Sequence, residues 1–422
     1  MEPRAEGDAL FLSQRIPYPP NKGDKIRSWH FFRHVAETHR MHLGCFIDDP
    51  ADWADANAVR KLCASACIRP LAPRRAKLRS LAGLATREAL TLPYFRSRAL
   101  HDWVAETVRR HAPALIFVFS SAMAQYVLDL PRGTARLVLD MVDMDSQKWR
   151  QYAARKRWPG NLVYRREARL LHGFERRAAL HFDASLFVSR AELELFRRLT
   201  PEAADRADFV GNGVDLAYFD PALPTLNPYP PEARPVVFTG AMDYWPNVDA
   251  VTWFADRVWP RVHAADPKRL FAIVGANPTP AVRALGQRPG ILVTGRVADV
   301  RPYLAHAVLA VAPLRVAQGV QNKVLEAMSM ARPVVATPQA VEGIDAEPGR
   351  EVVLAEAEVE FASRVSDFFA RPQTNSAGRA FVERNHSWTG TLRKLSAVCA
   401  ATTRAAAATA PAASKREVAT GV

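Results

Sequence analysis

Short apolar runs of strand length recur along the chain, each followed by a longer amphipathic segment, and this alternation limits the fold more than any other feature. Apolar runs without alternating polarity suit strands covered on both faces, and helices placed between them make the strands parallel. The first half supplies runs at 9–12, 42–47, 115–119, 137–141 and 184–188; the second supplies 236–239, 270–274, 291–294, 309–312 and 333–337. With 422 residues the chain exceeds the roughly 250 at which a single core stops growing. Two successive α/β domains are expected.

The boundary falls near Gly211-Asn212-Gly213-Val214-Asp215, where Gly and Asn tolerate positive φ, and a Pro-rich stretch from Pro221 to Pro235 follows as a linker. The expected division is 1–215, 216–380, a crossover helix at 381–400 and a tail at 401–422. That tail is dominated by Ala and Thr and has too little apolar bulk to hold itself in a core.

Hydrophobic residues make up 49% and charged residues 24%, the balance of a packed globular protein. The N-terminal MEPRAEGDALFLSQ is acidic where a signal peptide is basic, and no apolar window approaches the roughly 20 residues that span a bilayer. A cytoplasmic protein is expected, with reduced thiols at Cys45, Cys63, Cys67 and Cys399, which form no Cys-x-x-Cys pair. A net charge of +14 calls for a polyanionic partner. Between Arg69 and Arg110 ten basic residues stand against three acids, and a second basic run from Lys148 to Arg177 includes Trp149, Tyr152, Trp158 and Tyr164.

The stretch PLRVAQGVQNKVLEAMSMARPVVAT, from Pro313 to Thr337, concentrates the chemistry. It reads as a strand end, a loop holding Gly319, a helix from Asn322 through Met330 and a further strand. With Asn322 as N-cap, the amides of Lys323, Val324 and Leu325 are open to an anion in the first turn. Lys323 adds a full charge there, and Glu326, one turn in, suits a pair of vicinal hydroxyls such as those of a ribose. Phosphate plus ribose means a nucleotide, and ligands of open α/β sheets bind at the carboxyl ends of strands. An ordinary amphipathic helix explains the same residues equally well, with Val324, Leu325, Ala327, Met328 and Met330 as core.

The segment resembles the signature of the family 4 retaining glycosyltransferases of GT-B fold, which carry two glutamates separated by seven residues and followed by Ala-Met and Pro-Val-Val. Asn212-Gly213-Val214-Asp215 with Phe219 and Pro221 is similar to the family's interdomain motif, Phe238-Thr239-Gly240 to the opening of its second domain, and Val274-Gly275 and Gly295-Arg296-Val297 to its nucleotide-binding turns. The run FLSQRIPYPPNKGDKIRSWHFFRHVA looks like its N-terminal glycine loop. Together with GAMDYWPNVDAV, these segments resemble sugar transferases of bacterial exopolysaccharide (PEP-CTERM/exosortase) systems. The resemblance implies two Rossmann-like domains facing a cleft, with the C-terminal helix crossing back to the first domain. It implies retaining transfer from a nucleotide diphosphate sugar to a saccharide or lipid-linked acceptor, with no cofactor and no metal.

By that resemblance the donor is held by Gly240, Gly275, Val297, Arg315, Gln318, Gly319, Asn322, Val324 and Glu326, with Lys323 on the diphosphate. Gln318 stands where the family has its first glutamate, and Ala241 follows Gly240 where the family has an Arg that helps neutralise the diphosphate. Gly23 and Asp24 bring backbone amides to the leaving group, and Arg27 is a candidate for an acceptor phosphate, although a surface position suits it equally. Asp143, in a run of three carboxylates after a central strand, is the candidate catalytic carboxylate, although Asp145 or Ser146 reads as well as a simple helix cap.

Basic residues mixed with Leu, Trp, Phe and Tyr between Leu78 and Trp103 suit an anionic membrane surface at its inner face, or else a plain solvated helix face; no nucleic-acid motif is present and no nucleic-acid partner is expected. Two competing functions stay open from sequence: a sugar-nucleotide epimerase of the same architecture, and a basic nucleic-acid-binding protein.

Overall fold

A computed structural model describes residues 7–20, 23–131, 133–155, 158, 160–317 and 319–400. The first half holds seven parallel strands: β1 (Asp8–Ser13), β2 (Arg40–Ile47), β3 (Ser65–Pro70), β4 (Leu115–Phe119), β5 (Arg136–Val142), β6 (Ala184–Phe187) and β7 (Ala207–Phe209). Their order in the sheet is β3-β2-β1-β4-β5-β6-β7. The second half holds six: β8 (Arg234–Thr239), β9 (Arg269–Val274), β10 (Ile291–Gly295), β11 (Leu309–Ala312), β12 (Val334–Ala336) and β13 (Val353–Leu354), ordered β10-β9-β8-β11-β12-β13.

All ten expected strands form. The three without a sequence signal are edge or near-edge pieces: β3 has an apolar middle no longer than Ala66-Cys67-Ile68, while β7 and β13 are three and two residues long. A short edge strand buries too little to need an apolar run.

Along β1, Leu10 and Leu12 enter one core cluster while Ala9 and Phe11 enter another, so the two-residue period sends side chains into helices on both faces. Each sheet reverses its winding once, between β1 and β4 in the first and between β8 and β11 in the second. The loops leaving these strands therefore diverge and open a crevice at the carboxyl edge of each sheet.

The chain passes between the domains twice, side by side. Val214 pairs with Ser387, and its amide donates to His386 O at 2.7 Å. Gly213 lies directly against Trp388: a Cβ there would stand 2.7 Å from that residue's Cα, so the close approach requires Gly. The helix Trp388–Ala400 then packs on the first domain, where Trp388 stacks on His30 at 3.8 Å between ring centroids and Leu395 is fully buried. The expected crossover is present, but it starts at 386–388. The preceding helix, Ser376–Asn385, still belongs to the second domain, where Arg379 donates to Ser329 O at 2.6 Å. The expected tail at 401–422 lies outside the described residues. The four cysteines are free thiols.

Candidate active site

The two carboxyl edges enclose a cavity of about 200 Å³, lined from the first domain by Gly23, Asp24, Ser120, Asp143 and Lys148 and from the second by Gly319 and Asn322. Three helices begin at this cavity, one of them Asp145–Arg155 and the other two facing one another. Gly23 opens the helix Gly23–Ala36, and a Cβ on it would lie 3.7 Å from the side-chain nitrogen of Asn322, which opens the helix Asn322–Ser329. The positive ends of two helix dipoles thus face one another across the gap, an arrangement suited to an anion.

The cap of the second helix is Gln321, one residue earlier than the sequence suggests, because Asn322 already has helical geometry. The Val324 amide bonds Gln321 O at 3.0 Å and its side chain is core, so Val324 supplies neither contact to a ligand. The first-turn amides left open belong to Asn322 and Lys323.

On the first domain's wall, Val142 sits at φ +66°, which is rare for a β-branched residue and turns Asp143 towards the second domain. Lys148 Nζ lies 3.0 Å from Asp143 Oδ2 and 3.1 Å from Asp145 Oδ1. Burial alone would lower the Lys148 pKa, but the two carboxylates outweigh it and hold the ammonium charged. The other oxygen, Asp143 Oδ1, is buried with no hydrogen-bond partner. Opposite it is Gly319 at φ +63°, where a Cβ would come within 2.6 Å of that same oxygen. The Oγ of Ser120, at φ +75°, is a second buried atom without a partner on this cavity. Ser120 escaped the sequence reading; its one signal is the polar Ser-Ser pair that ends an apolar strand.

Arg27 lines the cavity floor but is not available to an acceptor phosphate. It is 1% exposed, bonds both Asp140 oxygens at 2.7 and 3.1 Å, and donates to Val210 O at 2.6 Å and Asn212 Oδ1 at 3.1 Å. Its fork is filled by strand β5 and the interdomain crossing. Asp24 is likewise engaged, accepting from Arg15 at 2.6 Å.

In the second domain, behind the residues that line the cavity, Lys323 Nζ bonds Asn247 Oδ1 and lies 4.4 Å over the Phe238 ring. Burial lowers its pKa to about 7, only partly opposed by Glu326; burial likewise raises Glu326 to about 7, partly opposed by Lys323. Asn247 had no functional signal in sequence beyond its place in the GAMDYWPN segment. Gly240 and Gly275 stitch the sheet edge, donating to Val274 O at 3.0 Å and to Gly295 O at 3.2 Å, so they offer bare backbone surface and no free amide. Among the described residues expected to hold the donor, Gly319 and Asn322 line the cavity, whereas Gly240, Gly275, Val297, Arg315, Lys323, Val324 and Glu326 lie outside its lining. Arg315 is half-exposed and paired with Asp249 at 3.0 Å, and Val297 packs against the second core beyond edge strand β10. Gln318 lies outside the described residues.

Residues 233–371 match the family described as Glycosyl transferases group 1. No curated protein matches the sequence. Among solved structures, sucrose-phosphate synthase from Thermosynechococcus elongatus superposes with a TM-score of 0.69 at 15% identity, covering 93% of this chain and 98% of that one. Anabaena HepE in complex with UDP and glucose gives 0.62 at 15% identity, covering 93% and 99%. WaaG, a glycosyltransferase involved in lipopolysaccharide biosynthesis, gives 0.60 at 12% identity, covering 93% and 99%. The fold is GT-B, and residues 233–371 match a glycosyl transferases group 1 domain, which supports glycosyl transfer.

Proposed function

We propose that this protein moves a sugar, with retention, from a nucleotide diphosphate sugar to an acceptor hydroxyl in the assembly of exopolysaccharide or another cell-surface glycan. One arrangement carries the reading: two helix amino ends converge on a cavity, with Lys323 in the first turn of one of them, and the opposite wall presents the unpartnered oxygens of Asp143 and Ser120. The converging positive groups suit a diphosphate, and the unpartnered oxygens suit sugar hydroxyls. HepE has been crystallised with UDP-glucose, which supports a uridine donor here.

In this reading Glu326 takes the ribose hydroxyls, and the Asn322 and Lys323 amides with the Lys323 ammonium take the diphosphate. The amides around Gly23 meet it from the first domain. Gly319 faces the sugar, Gln318 is assigned to it by the family resemblance, and Asp143 bonds a hydroxyl of the sugar or of the acceptor. The rate comes from stabilising negative charge on the departing diphosphate with donors that are already in place. A lipid-linked acceptor fits a protein resting on the inner membrane face. Leu78, Leu81 and Leu84 are 70%, 53% and 47% exposed, with Arg74, Arg75 and Lys77 exposed beside them. Further along that stretch, Leu92, Tyr94, Phe95, Leu100 and Trp103 pack into the core instead.

Calorimetric titration of UDP-glucose into wild type and Glu326→Ala tests the donor site. Saturable binding that Glu326→Ala weakens sharply supports it; unchanged affinity in the variant removes Glu326 from the donor site.

A further inference from the structure

At the amino ends of the first sheet's strands, across the domain from the cavity, three metal-ligand side chains meet. Asp8 opens β1, His42 lies in β2 and His111 closes the helix Arg98–His111. Their ligand atoms all lie within 4.8 Å of one another. Asp8 Oδ1 is 3.7 Å from His42 Nε2, and Asp8 Oδ2 is 3.6 Å from His111 Nδ1. Both gaps exceed a hydrogen bond. They are close to the edge of about 3.3 Å expected between ligands of a tetrahedral ion with bonds of about 2.0–2.1 Å.

His42 is the residue that needs explaining. It is 1% exposed, its Nδ1 meets Ser65 Oγ at 2.7 Å, and its buried Nε2 has no hydrogen-bond partner. With the Nδ1 proton given to Ser65, Nε2 turns a lone pair towards a carboxylate, which calls for a cation between them. A hydrogen bond on the outer ring nitrogen is also the usual device for aiming a metal-binding imidazole. The ring of His111 lies 4.4 Å from that of His42, on the open side of the cluster.

We propose that Asp8, His42 and His111 form a binding site for a zinc-class divalent cation, with water completing a tetrahedron. Two imidazoles and one carboxylate are the donor set of a borderline ion, neither all-oxygen nor thiolate. The cation would tie the starts of β1 and β2 to the end of the helix, as a staple remote from glycosyl transfer. Arg40 is its competitor: it grips both Asp8 oxygens at 2.5 and 2.9 Å and meets His111 Nδ1 at 3.4 Å. Being 57% exposed, it can swing off both residues into water.

The test is titration of Zn²⁺, and of Co²⁺ as a spectroscopic probe, into the metal-stripped full chain, with thermal unfolding in parallel. One equivalent should bind, raise the melting temperature and give the visible bands of four-coordinate Co²⁺. His111 is partly exposed, so His111→Ala keeps the fold. Because even residues behind a ligand are worth about 10–100-fold in affinity, losing this ligand should cost about a hundredfold. Arg40→Ala should tighten binding, whereas a purely structural Arg40–Asp8 pair would leave zinc affinity unchanged. Absence of saturable binding, or equal binding by wild type and His111→Ala, overturns the proposal.

Discussion

Asn212 Nδ2 donates to Asn322 Oδ1 across 3.1 Å, joining the interdomain crossing to the first turn of the helix that forms the cavity's second wall. Asn212 Oδ1 accepts from Arg27, and Arg27 grips Asp140 in β5. A polar string therefore runs Asp140, Arg27, Asn212, Asn322 from one domain to the other beneath the cavity, and substitutions along it should act on stability and domain placement together.

Arg27→Ala strips the partner from a fully buried Asp140 carboxylate. Removing one member of such a pair costs roughly 3–5 kcal/mol, because the remaining charge is left without compensation. A urea melt should show that loss, and a loss below about 1 kcal/mol would mean that water reaches Asp140.

Lys323, lowered by burial to about 7, is partly neutral in the free protein at that pH. A bound diphosphate raises its pKa again, so binding takes up a proton and affinity falls as pH rises through about 7. With a UDP-sugar as ligand, the binding enthalpy near pH 7.5 should depend on the buffer's ionisation enthalpy. Lys323→Met should change that dependence, leaving only what Glu326 contributes, and weaken binding by about 1.5–3 kcal/mol, the worth of a charge-assisted hydrogen bond.

Gly319→Ala places a methyl against Asp143 Oδ1 in a left-handed conformation. The strain of about 1–3 kcal/mol falls on a loop, so the melting temperature should move by only a few degrees while transfer activity is lost. A variant with wild-type turnover would show that the gap between Gly319 and Asp143 is not used by the substrate.

Glu175 is pushed up to about 8 by burial, against the pull of its hydrogen bonds from Ser146. Over the range from about 4.5 to 8 the unfolded chain has released this proton while the folded protein keeps it, so Glu175 makes stability fall as pH rises through that window. Glu175→Gln can preserve both Ser146 contacts. It should flatten the profile and be more stable than wild type near pH 8, as denaturant titrations across that window would show.

Leu78→Ser combined with Leu81→Ser removes exposed apolar surface from the basic helices without touching the core. Co-sedimentation with anionic phosphatidylglycerol vesicles should drop, and wild-type binding should weaken with salt. Equal sedimentation of the two proteins would count against membrane contact through this face.

The alternation of apolar runs determined the two parallel sheets, because only strands buried on both faces need uninterrupted apolar residues. The same logic made β3, β7 and β13 invisible, since their partners and edges, not their own composition, make them strands. Asn322, Lys323 and Glu326 were legible as a local constellation, because a cap, a charge and a carboxylate one turn apart need only a helix to bring them together.

Tertiary structure alone decided what these residues face. Arg27 reads as a free cation in sequence, yet folding buries it on Asp140, a partner more than a hundred residues away. Ser120 reaches the cavity, and Asn247 reaches Lys323, because segments separated along the chain converge at one crevice. Asp8, His42 and His111 carry no spacing that marks them as a group and meet only because β1, β2 and a helix end share one corner of the sheet. Local pattern fixes periodicity and caps, which depend on neighbours a few residues apart; burial, pairing and pKa depend on contacts between distant segments, which exist only once the chain has packed.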